Sequence, residues 1–113
     1  MPATFTLDEQ PDAWVLTARG DIDYADSPAF GACVESLLSG SPSAAIVDLS
    51  KIRFLDSSGL GLLLRLYREY GADSPRLVLI PSRPVSDVLD LTRLSDRFVT
   101  APDLASARAA LIA

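Results

Sequence analysis

The chain contains no histidine, and that absence removes more chemistry than any other feature of its composition. Ser-His-Asp and Cys-His nucleophilic arrangements need an imidazole to carry the proton, and histidine-ligated metal sites need it as a donor. The single cysteine, Cys33, has no partner for an internal disulfide, which agrees with a reducing compartment. There is one lysine, Lys51, the arginines are scattered, and the net charge is −5. No basic cluster is available to release phosphate counterions, which argues against direct nucleic-acid binding. No apolar run approaches the roughly 18 residues of a membrane span. Met1-Pro2-Ala3-Thr4 has neither the basic nor the apolar region of a secretory signal. The expectation is a cytoplasmic protein without membrane association.

What is present is the composition of an ordinary globular protein, 49% apolar and 22% charged over 113 residues. That length supports one modest core, so a single domain over residues 1–113 is expected. Phe5-Thr6-Leu7 and Trp14 to Ala18 read as two strands of an N-terminal hairpin around the polar turn Asp8 to Asp12. Gly20 to Ala25 reads as a loop carrying Asp21 and Asp23. Ser27-Pro28 opens a first helix, whose residues Phe30, Cys33, Val34, Leu37 and Leu38 repeat at helical spacing until Gly40. Cys33 on that stripe is read as a small buried hydrophobe.

Ala44 to Leu49 is a short continuous apolar run, as in a buried strand, and Ser50 to Leu55 reads as its connection to a central helix. That helix is predicted from about Ser58 to Tyr70, stopping at Gly71. Pro75 precedes a second buried-type strand, Arg76 to Ile80. A third helix follows on Val85, Val88, Leu89 and Thr92, with Leu91 and Leu94 near its end. Phe98-Val99-Thr100 predicts a short last strand, and Pro102-Asp103 a last helix with a weak stripe of Leu104, Ala107, Ala110 and Leu111. Alternating strands and helices imply an α/β fold with parallel neighbours and right-handed crossovers.

The candidate site is Phe54-Leu55-Asp56-Ser57-Ser58-Gly59-Leu60-Gly61. Leu60, Leu63, Leu64 and Tyr67 recur at i, i+3, i+4, i+7, so Asp56, Ser57 and Ser58 fall where a helix begins. Side-chain oxygens there accept from unpaired backbone N–H groups, and a phosphate would be favoured by the positive end of the helix dipole. An ordinary helix cap is the plain reading of Asp-Ser. Three features favour a phosphorylation switch. Gly59 and Gly61 weaken the opening turns by about 1 kcal/mol each relative to Ala, a penalty tolerated where something must approach the backbone closely. Two hydroxyls stand side by side at the dipole-positive end. Leu62 and Leu66 lie roughly 200–240° round from Leu60, so either the helix is covered on both sides or an apolar patch lies beside the serine. Asp21 and Asp23 could lie near Ser57, orienting its hydroxyl and repelling a phosphate once added. Paired-carboxylate glycoside chemistry lacks a sugar-binding aromatic platform, and Gly59-Leu60-Gly61 lacks the Gly-Lys-Ser/Thr of a Walker loop.

Val47-Asp48-Leu49-Ser50-Lys51-Ile52-Arg53-Phe54-Leu55-Asp56-Ser57-Ser58-Gly59-Leu60-Gly61 is similar to the phosphorylation segment of STAS-domain proteins of the anti-sigma factor antagonist family. Gly20-Asp21-Ile22-Asp23 matches that family's acidic turn, and Val85 to Leu94 is similar to its third helix and exit. The resemblance spans nearly the whole chain. It implies a STAS fold, a mixed four- to five-stranded sheet with four helices mainly on one face. It also implies partner switching rather than catalysis, with no cofactor and no metal. An unphosphorylated antagonist binds an anti-sigma factor serine kinase and frees the sigma factor, the kinase phosphorylates the antagonist, and a PP2C-type phosphatase restores it. By this resemblance Ser57 is the phosphorylated residue, with Ser58 the second choice, and Asp23 helps at the site together with Asp56 and Asp21. Ser58, Gly59, Leu60, Gly61, Leu62 and Leu66 form the expected partner surface of a monomer or weak dimer. The alternatives are a constitutive STAS adaptor in a stress-signalling or transporter complex, and a small enzyme or nucleotide-binding domain.

Overall fold

The computed structural model describes residues 2–70 and 76–112. Its elements are β1 (Thr4–Glu9), β2 (Trp14–Ile22), α1 (Ser27–Gly40), β3 (Ala45–Leu55), α2 (Ser57–Tyr70), β4 (Leu77–Pro81), α3 (Arg83–Leu91), β5 (Val99–Thr100) and α4 (Leu104–Ile112). The five strands form one sheet in the order β1-β2-β3-β4-β5. The β1–β2 hairpin is antiparallel and every later pairing is parallel, as the strand–helix alternation predicts. Gly71 and Pro75, expected to end the central helix and to precede the fourth strand, lie outside the described residues.

The two sheet faces carry two apolar clusters. The larger joins Leu16, Ala18 and Ile22 of β2 and Val47, Leu49, Ile52 and Leu55 of β3 to Phe30, Val34 and Leu37 of α1, Leu63 and Leu66 of α2, and Val85 and Leu89 of α3. The smaller joins Val15, Ile46, Val78 and Ile80 to Ala107 of α4 on the opposite face. Three helices on one face and one on the other give the mixed α/β architecture expected. The α4 stripe is as weak as its sequence: Ala107 is buried, while Leu104 stays 37% exposed. Arg108 ties this helix to the hairpin turn through Asp12 and Gln10.

β3 is the element the sequence pattern truncates. It continues past Leu49 to Leu55 as strand, not as a connection, and β2 likewise continues past Ala18 to Ile22. The cause lies in the register. Thr17 to Arg19 on β2 faces Asp48 to Lys51 on β3, and Gly20 to Asp21 faces Ile52 to Phe54. Each step gives β3 one residue more than β2, so the strand bulges twice. Inward-facing positions then run Val47, Leu49, Ile52, Leu55, and the two-residue period that identifies a strand is lost. Gly20 sits beside the second bulge at φ 97°, a conformation that side chains on L-residues strain to adopt. The bulges turn Lys51, Arg53 and Phe54 outward and deliver Leu55 to the core just before α2 begins.

Candidate functional site

Asp56 is the hinge between sheet and helix. Its backbone N–H donates to the Ile22 carbonyl at 3.1 Å, fixing it to the end of β2, and its carbonyl accepts from Leu60 N–H at 3.0 Å as the first bond of α2. Its carboxylate Oδ1 accepts from the Ser58 N–H at 3.0 Å, the Gly59 N–H at 3.2 Å and the Ser58 hydroxyl at 2.6 Å. The helix therefore begins with two of its orphan donors satisfied by the residue before it. Donation by the Ser58 hydroxyl, set against partial desolvation and aided by the N–H groups of Gly59, Ser58 and, more weakly, Tyr24, holds the Asp56 carboxyl below its usual value.

The two serines are placed differently. Ser58 is half-buried and its proton is committed to Asp56. Ser57 is exposed on the first residue of α2, and its side chain makes no hydrogen bond to any described residue. A nucleophilic oxygen that must accept a phosphoryl group needs access and a free lone pair, and Ser57 has both.

The acidic loop is built for itself. Asp23 is exposed and caps a 3-10 turn over Tyr24–Asp26, its Oδ1 accepting from the Ala25 N–H at 2.9 Å while its own N–H donates to Asp26 Oδ2 at 3.4 Å. Asp21 is half-buried at the end of β2, with Arg53 Nε 4.0 Å from its Oδ1. Neither carboxylate hydrogen-bonds to Ser57. Both stand at the same end of the sheet as Ser57.

The expected partner surface needs correction. Leu66 is fully buried, and the inward stripe of α2 is Gly59, Leu63, Leu66 and Tyr70, not Leu60, Leu63, Leu64 and Tyr67. Leu62 is half-buried, its methyls 3.8–3.9 Å from where a Cβ on Gly31 of α1 would stand. Of the two readings of leucines on both faces, the covered helix is the one observed: α2 packs on the sheet with α1 beside it on the same face, and Tyr67 packs edge-on to Phe98 at 5.4 Å. Gly59 is also buried, because a Cβ there would fall 2.4 Å from Leu55 Cδ1 and 3.0 Å from Ile22 Cγ2. Leu60 packs partly into the core, and Gly61 remains exposed.

Two aromatic residues at this end are exposed: Phe54, which opens the candidate stretch read from the sequence, and Tyr24, which the sequence does not single out. Tyr24 is 82% exposed on the turn after β2, and Phe54 is 51% exposed near the end of β3. Phe54 falls in the stretch expected to be a connection; it lies instead on β3, where the second bulge, which the sequence does not display, turns it outward. Among the described residues no helix is long and apolar enough to cross a membrane.

The family model of the STAS domain matches residues 4–107. The chain belongs to the STAS domain family. The anti-sigma-F factor antagonist RsfB of Mycobacterium tuberculosis is 29% identical over 68 residues, 60% of this chain and 56% of RsfB, so the match spans little more than half of that relative. The crystal structure of an anti-sigma factor antagonist from Mycobacterium paratuberculosis superposes with a TM-score of 0.89 at 26% identity, covering 98% of this chain and 95% of that one. The Bacillus cell fate determinant SpoIIAA in its phosphorylated form superposes with a TM-score of 0.66 at 25% identity, over 88% and 93% of the two chains. The STAS sheet order, the acidic turn after β2 and the β3–α2 junction are thus set in a fold shared with anti-sigma factor antagonists.

Proposed function

We propose that this STAS domain is a cytoplasmic anti-sigma factor antagonist switched by phosphorylation of Ser57. The unmodified form docks onto an anti-sigma factor serine kinase and displaces its sigma factor. The observation that carries this reading is the contrast at the head of α2, where Ser58 is locked to Asp56 and Ser57 is exposed with its hydroxyl uncommitted.

The chemistry is a simple transfer. Ser57 Oγ attacks the γ-phosphorus of ATP held by the kinase, the bond to the bridging oxygen breaks, ADP leaves, and a base on the kinase takes the hydroxyl proton. The product phosphate stands at the N-terminus of α2, where the helix dipole favours it, so the fold survives the modification. Its surroundings do not favour it in a complex. Asp21, Asp23, Asp26 and Asp56 already make this end acidic, and the ADP phosphates in the kinase would face a second group carrying about −2 charge. Burying such a charge without a matching cation costs several kcal/mol, enough to undo a micromolar complex. A PP2C-type phosphatase would hydrolyse the ester and reset the switch.

A constitutive adaptor would use the same surface without modification. Incubating the protein with purified anti-sigma factor serine kinases of its source organism and ATP, then measuring intact mass and mapping the modified residue, separates the two. One phosphoryl group on Ser57 supports the switch; an unmodified chain sinks it.

A further inference from the structure

Folding gathers cations that the sequence scatters. On the sheet face opposite α1, α2 and α3, α4 covers Val15, Ile46, Val78 and Ile80 and leaves the rest open. By the two-residue period Arg19 lies on the same face as Val15, and the register sets it directly opposite Lys51. Each bulge of β3 keeps two consecutive residues out of the core, Ser50 with Lys51 and Arg53 with Phe54, while Leu49, Ile52 and Leu55 are buried in it. The open half-face thus carries Arg19, Lys51 and Arg53, three of the 10 cations of a chain with 15 acidic residues, beside the exposed ring of Phe54.

Like charges placed directly opposite each other on neighbouring strands repel. Two carboxylates share this face, and neither pairs with Arg19 or Lys51. Asp21 lies 4.0 Å from Arg53, and Asp48 Oδ1 accepts from the Ser50 N–H at 3.0 Å and from its hydroxyl at 2.7 Å. Among the described residues Arg19 and Lys51 form no ion pair. The sheet therefore holds an uncompensated cation pair in solvent, inside an acidic molecule.

We infer that this half-face docks an acidic segment of a partner protein, with a carboxylate between Arg19 and Lys51 and an apolar side chain against Phe54. The inference goes beyond the phosphorylation switch, since it needs neither Ser57 nor the kinase. Charge chooses the occupant. At net −5 the molecule is repelled by an anionic membrane and by nucleic acid, whose binding rests on many phosphate contacts. Two copies of the chain repel each other in the same way. Three cations match one or two carboxylates, which they bind through charge-assisted hydrogen bonds.

The test titrates the 15N-labelled full chain with a peptide of alternating glutamate and leucine, and with its glutamine counterpart, following amide NMR shifts. The proteins are wild type, Lys51→Gln, the double variant Arg19→Gln, Lys51→Gln, and Arg83→Gln, which removes an exposed cation from α3. The glutamate peptide should shift the amides of Arg19, Lys51 and Phe54. It should bind the double variant at least about tenfold more weakly and Arg83→Gln as it binds wild type. Lys51→Gln should melt no lower than wild type, because it removes a repulsion. No saturable shift in wild type, equal binding of the glutamine peptide, wild-type affinity in the double variant, or a lower melting temperature for Lys51→Gln overturns the inference. Binding of phosphatidylglycerol vesicles or a DNA duplex that the double variant loses, or a sedimenting dimer that it loses, assigns the face to lipid, nucleic acid or a second copy and overturns it as well.

Discussion

The Ser58 hydroxyl donates to Asp56 Oδ1 at 2.6 Å, and this bond separates two chemically identical neighbours. A phosphate on Ser58 would have to break that bond and then stand against the carboxylate it had been bonded to. Phosphorylation is therefore expected on Ser57 alone, and Ser57→Ala should abolish modification without transferring it to Ser58. Intact mass after kinase treatment, followed by peptide mapping, checks this. A phosphorylated Ser58 in the Ser57→Ala protein would show that the Asp56 contact does not set the choice.

The same carboxylate gives the fold a pH signature. The Asp56 carboxyl is held below its ordinary value by the Ser58 hydroxyl first and by backbone N–H groups next. A carboxyl whose folded pKa is depressed contributes stability that is present above its unfolded pKa, near 3.9, and is lost as pH falls through the folded value. Asp56→Asn keeps an acceptor at the head of the helix but removes the titration. Wild type should exceed this variant in stability from neutral pH down to about pH 5, and the gap should shrink as pH falls below the unfolded value near 3.9 and close once pH is below the lowered folded value. Urea midpoints measured across that range decide it, and a constant gap at all pH values would exclude Asp56 as the source. Asp12, lowered mainly by its hydrogen bond from Arg108, titrates in the same sense and remains in both proteins.

Charge at position 57 should act on the complex and not on the fold. Ser57→Asp adds an anion to the first turn of α2, which stabilises a helix by about 0.3–1 kcal/mol. Its melting temperature should equal or slightly exceed that of Ser57→Ala. Binding to the kinase should part the two variants in the other direction, with Ser57→Ala retaining affinity and Ser57→Asp losing at least about tenfold. Equal binding by both variants would remove the charge mechanism.

The sequence made the α/β alternation, the hairpin and the head of α2 legible because each rests on a short-range rule: apolar runs, a polar turn, an Asp-Ser cap. It hid β3 beyond Leu49 because two bulges replace the period of two with steps of three, and those depend on pairing with β2. It misassigned the inner stripe of α2 for a different reason. Leucine stands at 60, 62, 63, 64 and 66, so several faces of the helix are equally apolar, and only the packing of α1 and the sheet selects Gly59, Leu63, Leu66 and Tyr70. Asp23 was legible as acidic but not as the cap of its own turn. The exposure of Tyr24 and Phe54 had no sequence signal, since exposure of a single aromatic is set by the surrounding backbone.

That selection of stripe fixes what leucine substitutions should do. Leu66 is fully buried in the main cluster, so Leu66→Ala should cost about 2–5 kcal/mol, from lost apolar burial together with the cavity left behind. Leu62 is half-buried against α1, and Leu62→Ala should cost clearly less, about 1–2 kcal/mol. Denaturant unfolding of both variants measures the difference. A Leu66→Ala protein as stable as wild type would return that residue to the surface.

Gly59 is the position where a methyl group should do most harm for its size. Its added Cβ would lie 2.4 Å from Leu55 Cδ1 and 3.0 Å from Ile22 Cγ2, and both neighbours are buried, 4% and 0% exposed, so the shift must be taken up inside the core. Overpacking of this kind costs about 1–3 kcal/mol, while alanine in place of glycine restores about 1 kcal/mol of helix propensity. Overpacking outweighs propensity here because Leu55 and Ile22 are themselves held by the second bulge and by the Asp56 N–H bond to the Ile22 carbonyl. Gly59→Ala should therefore lower the urea midpoint, and the displaced Leu55 should disturb Asp56, slowing phosphorylation of Ser57 in proportion. A Gly59→Ala protein with a raised midpoint would mean that the β3–α2 junction yields more easily than its packing implies.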